Sequence, residues 1–362
     1  MSRTHRVGIV GVGAIADFHA RAIADLDNAE VVAACCRTEA KGRAFCDRHG
    51  GDWYPSPERL LDEAGVDVIT ICTPSGVHLE PAVAALDRGV HVLCEKPLEI
   101  DLARAGEIIA AAGRSTARLG GIFPQRFNPV VRAAHEAASA GRLGQVAAAV
   151  AYVPWWRDDE YYGPSRWQGT LRYDGGGALM NQSIHAVDAI LWLADAAGAG
   201  RPVEVTGLTA KRGHAADLIE VEDVAVATVR FSGGAVGVVL ASTAMWPGTA
   251  MRCHIAGRDG TIEVHEKQVV TWRFRDEGPD DEEFRKVHGP GDGHGGAADP
   301  LAIDYSNHTR NIADFLAAID SGEPSGVEAD QAWQAVALIR AIYESAESGE
   351  PTPVAPFPST AS

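Results

Sequence analysis

The stretch HRVGIVGVGAIADFHARAIADL, which begins at His5, constrains this chain more than any other. A short apolar run over residues 7–10 reaches Gly11, and the pattern Gly11-x-Gly13-x-x-Ala16 opens a segment of helical composition that continues to Leu26. A strand that turns this sharply into a helix calls for a crossover to a parallel neighbour. Gly11 permits the tight turn, Gly13 lets a ligand approach the backbone, and Ala16 still allows close helix–strand packing. Free N–H groups and the dipole at the helix start favour an anion. The pattern therefore predicts a pyrophosphate seat on this turn, with Ala14 and Ile15 beside it.

The alternation continues. EVVAACC reads as a strand, EAKGRAFCDRHG and ERLLDEAG as helices, and VDVITICTP as a buried strand. HLEPAVAALDRG, HVLCEKP, DLARAGEIIAAAGR and ARLGGIF repeat the helix–strand exchange. Ser56 and Pro57 supply an N-cap and first helical residue. Strands alternating with helices predict a doubly wound parallel sheet over residues 1–122, whose ligands bind at the carboxyl ends of the strands. That rule places Gly11, Gly13, Cys36, Arg37, Thr38, Thr73, Pro74, Glu95 and Lys96 along one edge.

Cofactor choice is read at the end of the second strand. An acid there would bind a ribose 2′-hydroxyl and repel a 2′-phosphate. Cys36-Arg37-Thr38 has no acid but offers a cation and a hydroxyl, which favours NADP(H) over NAD(H). The competing role for Arg37 is stacking on the adenine face.

The pattern changes after residue 122. RFNPVVRAAHEAASAGRLG reads as a helix and QVAAAVAYVPWW as a strand. Two β-rich runs flank Ser232-Gly233-Gly234, and two more flank Arg258-Asp259-Gly260. Sequential strands joined by hairpin turns predict an antiparallel sheet, and so an α+β domain over 123–362. Ile312, Phe315, Leu316 and Ile319 fall on one helical face, and the tail from Pro351 reads as extended.

Composition excludes several classes. A formal net charge of −17 argues against nucleic acid and anionic membrane surfaces as partners. No run is long and apolar enough for a transmembrane helix. The N-terminus lacks a convincing cleavage site, so the cytoplasm is the expected compartment. The six cysteines include no CxxC and read as reduced core thiols. HGPGDGHGG, from His288, reads as a glycine-rich loop rather than a ligand set, so no metal is expected. The acidic, glycine-rich stretch 276–298 has no functional reading.

GIVGVGAIADFHARAI, CTPSGVH, CEKPLEID, FPQRFNP, DGGGALMNQSIHAVDAI and NIADFLAAIDSGEP follow one another in this order and at these separations. Together they make the chain resemble the Gfo/Idh/MocA oxidoreductases along almost its whole length. The resemblance implies a Rossmann domain paired with a domain built on a large, mostly antiparallel sheet. It implies oxidation or reduction of a carbinol on a cyclic sugar, inositol or derivative with a nicotinamide cofactor. It also implies a homodimer or homotetramer assembled through that sheet. YYGPSRWQGTLRYDGGGALMNQSIH looks most like the branch of sugar-nucleotide uronate 3-dehydrogenases and related pyranoside dehydrogenases, which points to pyranoside C3. Some relatives instead retain the cofactor and run oxidation, elimination and reduction in one cycle; a non-catalytic sensor is the remaining alternative. His78, in CTPSGVH, joins the cofactor residues by the same resemblance.

Hydride transfer from a carbinol needs a group to take the hydroxyl proton and a cation to stabilise the developing alkoxide. The resemblance assigns the cation to Lys96 and the acid/base role to His185. Asn181, Asp188 and His185 fall on one face of a helix, with Trp192 further along it. Many family members carry Asp where this chain has Asn181; an amide positions substrate but relays no proton. Asp188 is read as structural. The glycines at 175–177 are read as bringing backbone N–H groups close to a ligand or cofactor. Arg126, Asn128, Arg157, Tyr161 and Trp167 are candidate sugar contacts, with Tyr162 and Arg166 beside them and His308 and Tyr305 as weaker ones.

The Arg37 reading makes a direct prediction. Titration of the purified protein with each oxidised cofactor is expected to give a smaller Kd for NADP⁺ than for NAD⁺; the reverse order overturns it.

Overall fold

The computed structural model describes residues 3–163, 166–290 and 305–358. Within them the chain forms two compact units, Met1–Pro124 with Asp304–Trp333 and Phe357–Ser362, and Gln125–Ile303 with Gln334–Pro356.

The first unit alternates strand and helix: β1 His5–Val10, α1 Ala14–Ala24, β2 Ala29–Cys35, α2 Glu39–His49, β3 Asp52–Tyr54 and α3 Pro57–Glu63. Then follow β4 Val68–Ile71, α4 Leu79–Leu86, β5 His91–Cys94, α5 Leu102–Arg114 and β6 Leu119–Gly121. The strands pair in parallel in the order β3-β2-β1-β4-β5-β6. The order reverses between β1 and β4, and this reversal opens the crevice in which doubly wound sheets bind ligands. The expected cap is present: Ser56 accepts the Arg59 N–H, with Pro57 at the first helical position.

Gly11 shows why its position demands glycine. Its φ is +94°, and a Cβ there would lie 2.8 Å from the Cys72 carbonyl carbon. Gly13 differs, because a Cβ there would meet nothing within 4 Å. The space beside the turn is open, and α1 begins on Gly13 without a side-chain cap, so its first N–H groups face that space.

The second unit contains α6 Pro129–Ser139, β7 Val146–Pro154, α7 Leu171–Asp174, a π-helical turn Ala178–Ser183 and α8 Ile184–Ala196. Its sheet is completed by β8 Pro202–Ala210, β9 Val224–Phe231, β10 Val236–Ser242, β11 Arg252–Gly257, β12 Gly260–His265, β13 Gln268–Phe274 and β14 Thr352–Pro353. The order is β13-β12-β11-β7-β10-β9-β8-β14. The β9/β10 and β11/β12 hairpins form at the glycine turns read from the sequence. The β7–β10 pair is parallel, which makes the sheet mostly rather than wholly antiparallel. Helix α9 Pro279–His288 follows β13. The His288–Gly296 stretch lies mostly outside the described residues.

Helix α10 Ser306–Ser321 departs from the linear reading, which places it in the 123–362 domain. Its Ile312, Phe315 and Leu316 are buried in one cluster with Val7, Ile9, Ile23 and Leu93, so it belongs to the first unit. The amphipathic face was visible in the sequence; its destination was not. Helix α11 Ala329–Ser348 follows. Among the described residues every cysteine is a free thiol, and no helix is long and apolar enough to cross a membrane.

Among the described residues nothing covers one apolar face of the second sheet. Leu208 is 72% exposed and Val236 59%. Val226 pairs with Leu208 across the β8–β9 ladder and is exposed with it, as is Val238 on β10.

Candidate functional site

In the first unit the strand ends bring most of the expected cofactor residues into one row. Gly13 and Ala14 are exposed at the turn after β1, and Ile15 is half-buried. After β2, the Cys36 thiol donates to the Thr38 carbonyl, and the Cys36 carbonyl accepts from Trp53 Nε1 at 3.1 Å. This arrangement leaves Arg37 and Thr38 exposed. Thr73 and Pro74 are half-buried after β4.

His78 takes a different place from the one expected. It is buried, with Nδ1 2.9 Å from the Pro97 carbonyl and Nε2 3.1 Å from the Thr73 carbonyl. A neutral ring donates to only one of these carbonyls, and in either tautomer it lies between the loop after β4 and the loop after β5.

Lys96 follows β5, half-buried, and its peptide bond to Pro97 is cis. The Lys96 N–H donates to Glu95 Oε2 at 3.1 Å. Glu95 Oε1 lies 2.9 Å from His19 Nε2, and His19 Nδ1 lies 2.7 Å from Thr70 Oγ1. Glu95 therefore points into the protein rather than toward a cofactor. Burial works against a charge on His19, but the Cys72 sulfur and the Glu95 carboxylate work for it, and the balance pushes His19 up to about 10. Burial would raise Glu95, yet the hydrogen bond and charge of His19 hold it down to about 2. With His308 these groups bring three ligand-type atoms within 4.8 Å of one another. Both His19 nitrogens already have protein partners, and the Glu95–His19 contact is an ion pair, so the cluster reads as a buried charge network.

In the second unit the glycine question resolves into packing. Gly175 is the left-handed residue that ends α7, with φ +69°. A Cβ on Gly176 would lie 2.1 Å from the Tyr343 hydroxyl, and one on Gly177 would lie 2.0 Å from the Glu222 carbonyl oxygen. Of the glycine N–H groups expected to face a ligand, those of Gly175 and Gly177 have protein acceptors. Gly177 N and Leu179 N donate to the Glu222 carboxylate at 2.9 and 2.8 Å, and Met180 N donates to the Tyr343 hydroxyl. Tyr343 in turn donates to Glu222 at 2.9 Å. Burial raises the Glu222 pKa against these stabilising bonds.

The segment carrying Asn181 is a π turn, and the α-helix proper starts at Ile184. Such wide turns interrupt helices frequently at functional sites. Asn181 is buried and His185 half-buried. Asp188, read as structural, has a partner within the protein. It is buried and accepts from Arg126 Nε at 2.8 Å and Nη2 at 2.6 Å. The Arg126 guanidinium also lies over Trp192, which stacks on His135. Arg126, expected on the sugar, is thus engaged in a buried pair. Asn128 caps α6 through Val130 N and donates to the Glu266 carbonyl. It too has a structural place.

Arg157 and Tyr161 do come together, through a residue the sequence reading missed. Gln182 accepts from Arg157 Nε at 3.0 Å and donates to the Tyr161 hydroxyl at 2.7 Å. Asn181 also hydrogen-bonds the Tyr161 phenol. Trp167 is half-buried and Arg166 exposed in the following turn. Tyr162 is buried on Thr243 and His214. Gln182 adjoins Asn181 in sequence, but nothing at sequence level pairs it with residues 25 positions earlier.

The profile of an oxidoreductase family with an NAD-binding Rossmann fold matches residues 5–121, and that of the GFO/IDH/MocA C-terminal domain matches 131–263. A 1,5-anhydro-D-fructose reductase of Ensifer adhaerens is 25% identical, over 96% of this chain and 97% of its own length. A D-glucoside 3-dehydrogenase of Escherichia coli is 24% identical, over 95% and 96%. The WlbA dehydrogenase from Bordetella pertussis, solved with NADH and UDP-GlcNAcA, superposes with a TM-score of 0.88 at 28% identity, covering 99% of this chain and 100% of that one.

The buried His19–Glu95 pair fixes a pH window. His19 has its folded pKa raised, so its contribution is complete below about 6.5 and is lost as pH rises toward about 10. Glu95 has its folded pKa lowered, so its contribution is complete above about 4.5 and is lost as pH falls toward about 2. The stability difference between wild type and His19→Gln, from urea unfolding, is expected to be largest near pH 5–6 and to shrink steadily toward pH 10. A difference independent of pH would show that the pair is not charged.

Proposed function

This chain belongs to the GFO/IDH/MocA oxidoreductase family, and we propose from there that it moves a hydride between a nicotinamide cofactor and a secondary hydroxyl or ketone of a cyclic sugar or polyol derivative. The carrying observation is Lys96, set immediately beyond β5 on the strand-end row that includes the open Gly13 turn, with its backbone pinned by Glu95. The turn fits a dinucleotide: a glycine with clear space beside it opens an 11-residue helix with uncapped N–H groups. Bound there, nicotinamide supplies the hydride chemistry.

The residues of the chain supply the rest. The Lys96 ammonium lowers the pKa of the substrate hydroxyl and stabilises negative charge as it develops on that oxygen. His185 takes the hydroxyl proton in oxidation and returns it in reduction. Asn181 orients the substrate through its amide. Support for a pyranoside C3 carbon comes from the D-glucoside 3-dehydrogenase relative and from the likeness to WlbA, whose complex holds a nucleotide-linked sugar acid. Exposed Arg37 and Thr38 support NADP(H) over NAD(H). The first domain follows residues 1–122 and the second 123–362 in linear order, with α10 returning to the first. The uncovered apolar face carrying Leu208, Val226, Val236 and Val238 supports assembly of a second copy through that sheet.

The test of function is a panel of sugars, uronates, inositols, glycosides and nucleotide-linked uronates with each cofactor, followed by nicotinamide absorbance. On the best substrate, Lys96→Ala is expected to lower kcat roughly 10²–10⁴-fold with cofactor Kd unchanged within a few-fold; wild-type turnover overturns the assignment. Silence across the panel with nicotinamide released on denaturation would indicate a retained, recycling cofactor instead. For assembly, Leu208→Glu is expected to shift the sedimentation coefficient toward that of a monomer; an unchanged value moves the interface elsewhere.

A further inference from the structure

A chain of hydrogen bonds in the second unit fixes the direction in which one hydroxyl proton points. It starts at Arg157, which is buried. Arg157 Nε donates to Gln182 Oε1 at 3.0 Å, and Arg157 Nη1 donates to the Trp156 carbonyl at 3.0 Å. A guanidinium has donors only. The Gln182 amide must therefore present its oxygen to Arg157, because the flipped amide would set N–H against N–H. Its nitrogen is then turned to the Tyr161 hydroxyl, 2.7 Å away, and donates to it.

The origin of the chain is itself held firmly. The Arg157 N–H donates to the Thr243 carbonyl at 2.9 Å, and the Arg157 carbonyl lies 2.9 Å from His214 Nε2. The other nitrogen of His214 lies 3.0 Å from the buried Asp223 carboxylate. Asp223 also accepts the N–H groups of Arg212, Gly213 and His214. These bonds fix the Arg157 backbone, and its buried guanidinium is held in turn by the Trp156 carbonyl and Gln182 Oε1.

The end of the chain is Tyr161, half-buried on the short turn after β7. Burial pushes its phenol up to about 12, so it keeps its proton at neutral pH. The hydrogen bonds of Gln182 and Asn181 work against that rise, and in the first of them Gln182 is the donor, its nitrogen turned to the phenol by Arg157. A phenol that keeps its proton and accepts from Gln182 still has one O–H to give, and it cannot give it to Gln182.

We infer that Arg157 and Gln182 are positioning residues that set Tyr161 as a hydrogen-bond donor to an acceptor oxygen of the bound sugar, a carbonyl, carboxylate or ring oxygen. This rests on the reading that the second unit receives the sugar. It extends that reading by assigning the polarity of the contact and adding Gln182 as a determinant of specificity. A substrate that offers an acceptor at this point gains the bond; one that lacks it leaves a half-buried hydroxyl unpaired.

The test uses Tyr161→Phe, Gln182→Glu and the double variant in the full chain. A glutamate at 182 pairs with Arg157 and presents an acceptor-only oxygen to Tyr161, which captures the phenolic proton. Both single variants are expected to raise KM for the sugar roughly 3–30-fold with kcat nearly unchanged. The double variant is expected to be no worse than Tyr161→Phe. A wild-type KM in Gln182→Glu, or effects that multiply in the double variant, would overturn the inference. Cofactor Kd, measured by fluorescence titration, should remain at the wild-type value in all three and reports that the fold is intact. A second readout needs no sugar. In protein labelled with ¹³C at tyrosine Cζ, the Tyr161 resonance, identified by its absence in Tyr161→Phe, is expected to shift in Gln182→Glu as the phenol changes from accepting to donating. If the wild type turns over no sugar but the resonance shifts, the functional reading fails while the hydrogen-bond polarity stands. An unshifted resonance refutes the polarity whatever the activity.

Discussion

A buried carboxylate with two backbone N–H groups on it sets the geometry of the second unit. Glu222 holds Gly177 N and Leu179 N, and the Tyr343 hydroxyl completes its coordination. A charge in a protein interior is costly unless its lone pairs are engaged, and here three donors engage them, although burial still raises the pKa. The same bonds satisfy the orphan donors with which every helix begins. They also explain the glycines: Gly176 and Gly177 lie so close to Tyr343 and to the Glu222 backbone that any Cβ would collide. With its entry fixed, the chain runs through a π turn, and the positions of Asn181 and Gln182 follow from that turn. The Tyr161 contact depends on Gln182, and so on Glu222 two steps removed.

The first unit applies the same device to its loops. Glu95 accepts the Lys96 N–H, and Glu99 accepts those of His78, Leu79 and Ile100. Both carboxylates are buried, one backed by His19 and the other by Arg104. Loops at the strand ends cannot satisfy their N–H groups within a ladder, so acidic side chains from the same loops do it. These bonds restrain the loops, which suits groups that must meet a reacting atom within a fraction of an ångström.

The parts legible in the sequence were those governed by local rules. The strand–glycine–helix turn, the alternation of periods and the Ser232–Gly234 and Arg258–Gly260 hairpins each depend on neighbours within a few residues, and each is found. What escaped was tertiary. The spacing of Asn181, His185 and Asp188 assumed one continuous α-helix, but the π turn ends before His185, and Asp188 turns to Arg126. Arg126 looked like a sugar contact because it follows the last strand of the first sheet; its buried partner, Asp188, lies 62 residues further on, and the pair sits over Trp192. Glu222 and Tyr343 lie 45 and 163 residues from the backbone groups they hold, and no local pattern encodes such a distance.

Helix α10 has a consequence for how this protein comes into being. Phe315 and Ile312 fill the core of the first unit alongside β1, although the whole second sheet except β14 lies between them in the chain. Gly120 on β6 packs directly against the Phe315 ring, where a Cβ would lie 2.6 Å from it. The nucleotide-binding half is therefore not a contiguous cassette. During synthesis β1 waits, with an apolar face uncovered, until α10 has been made as well. A fragment ending at residue 124 would lack the helix that closes its core.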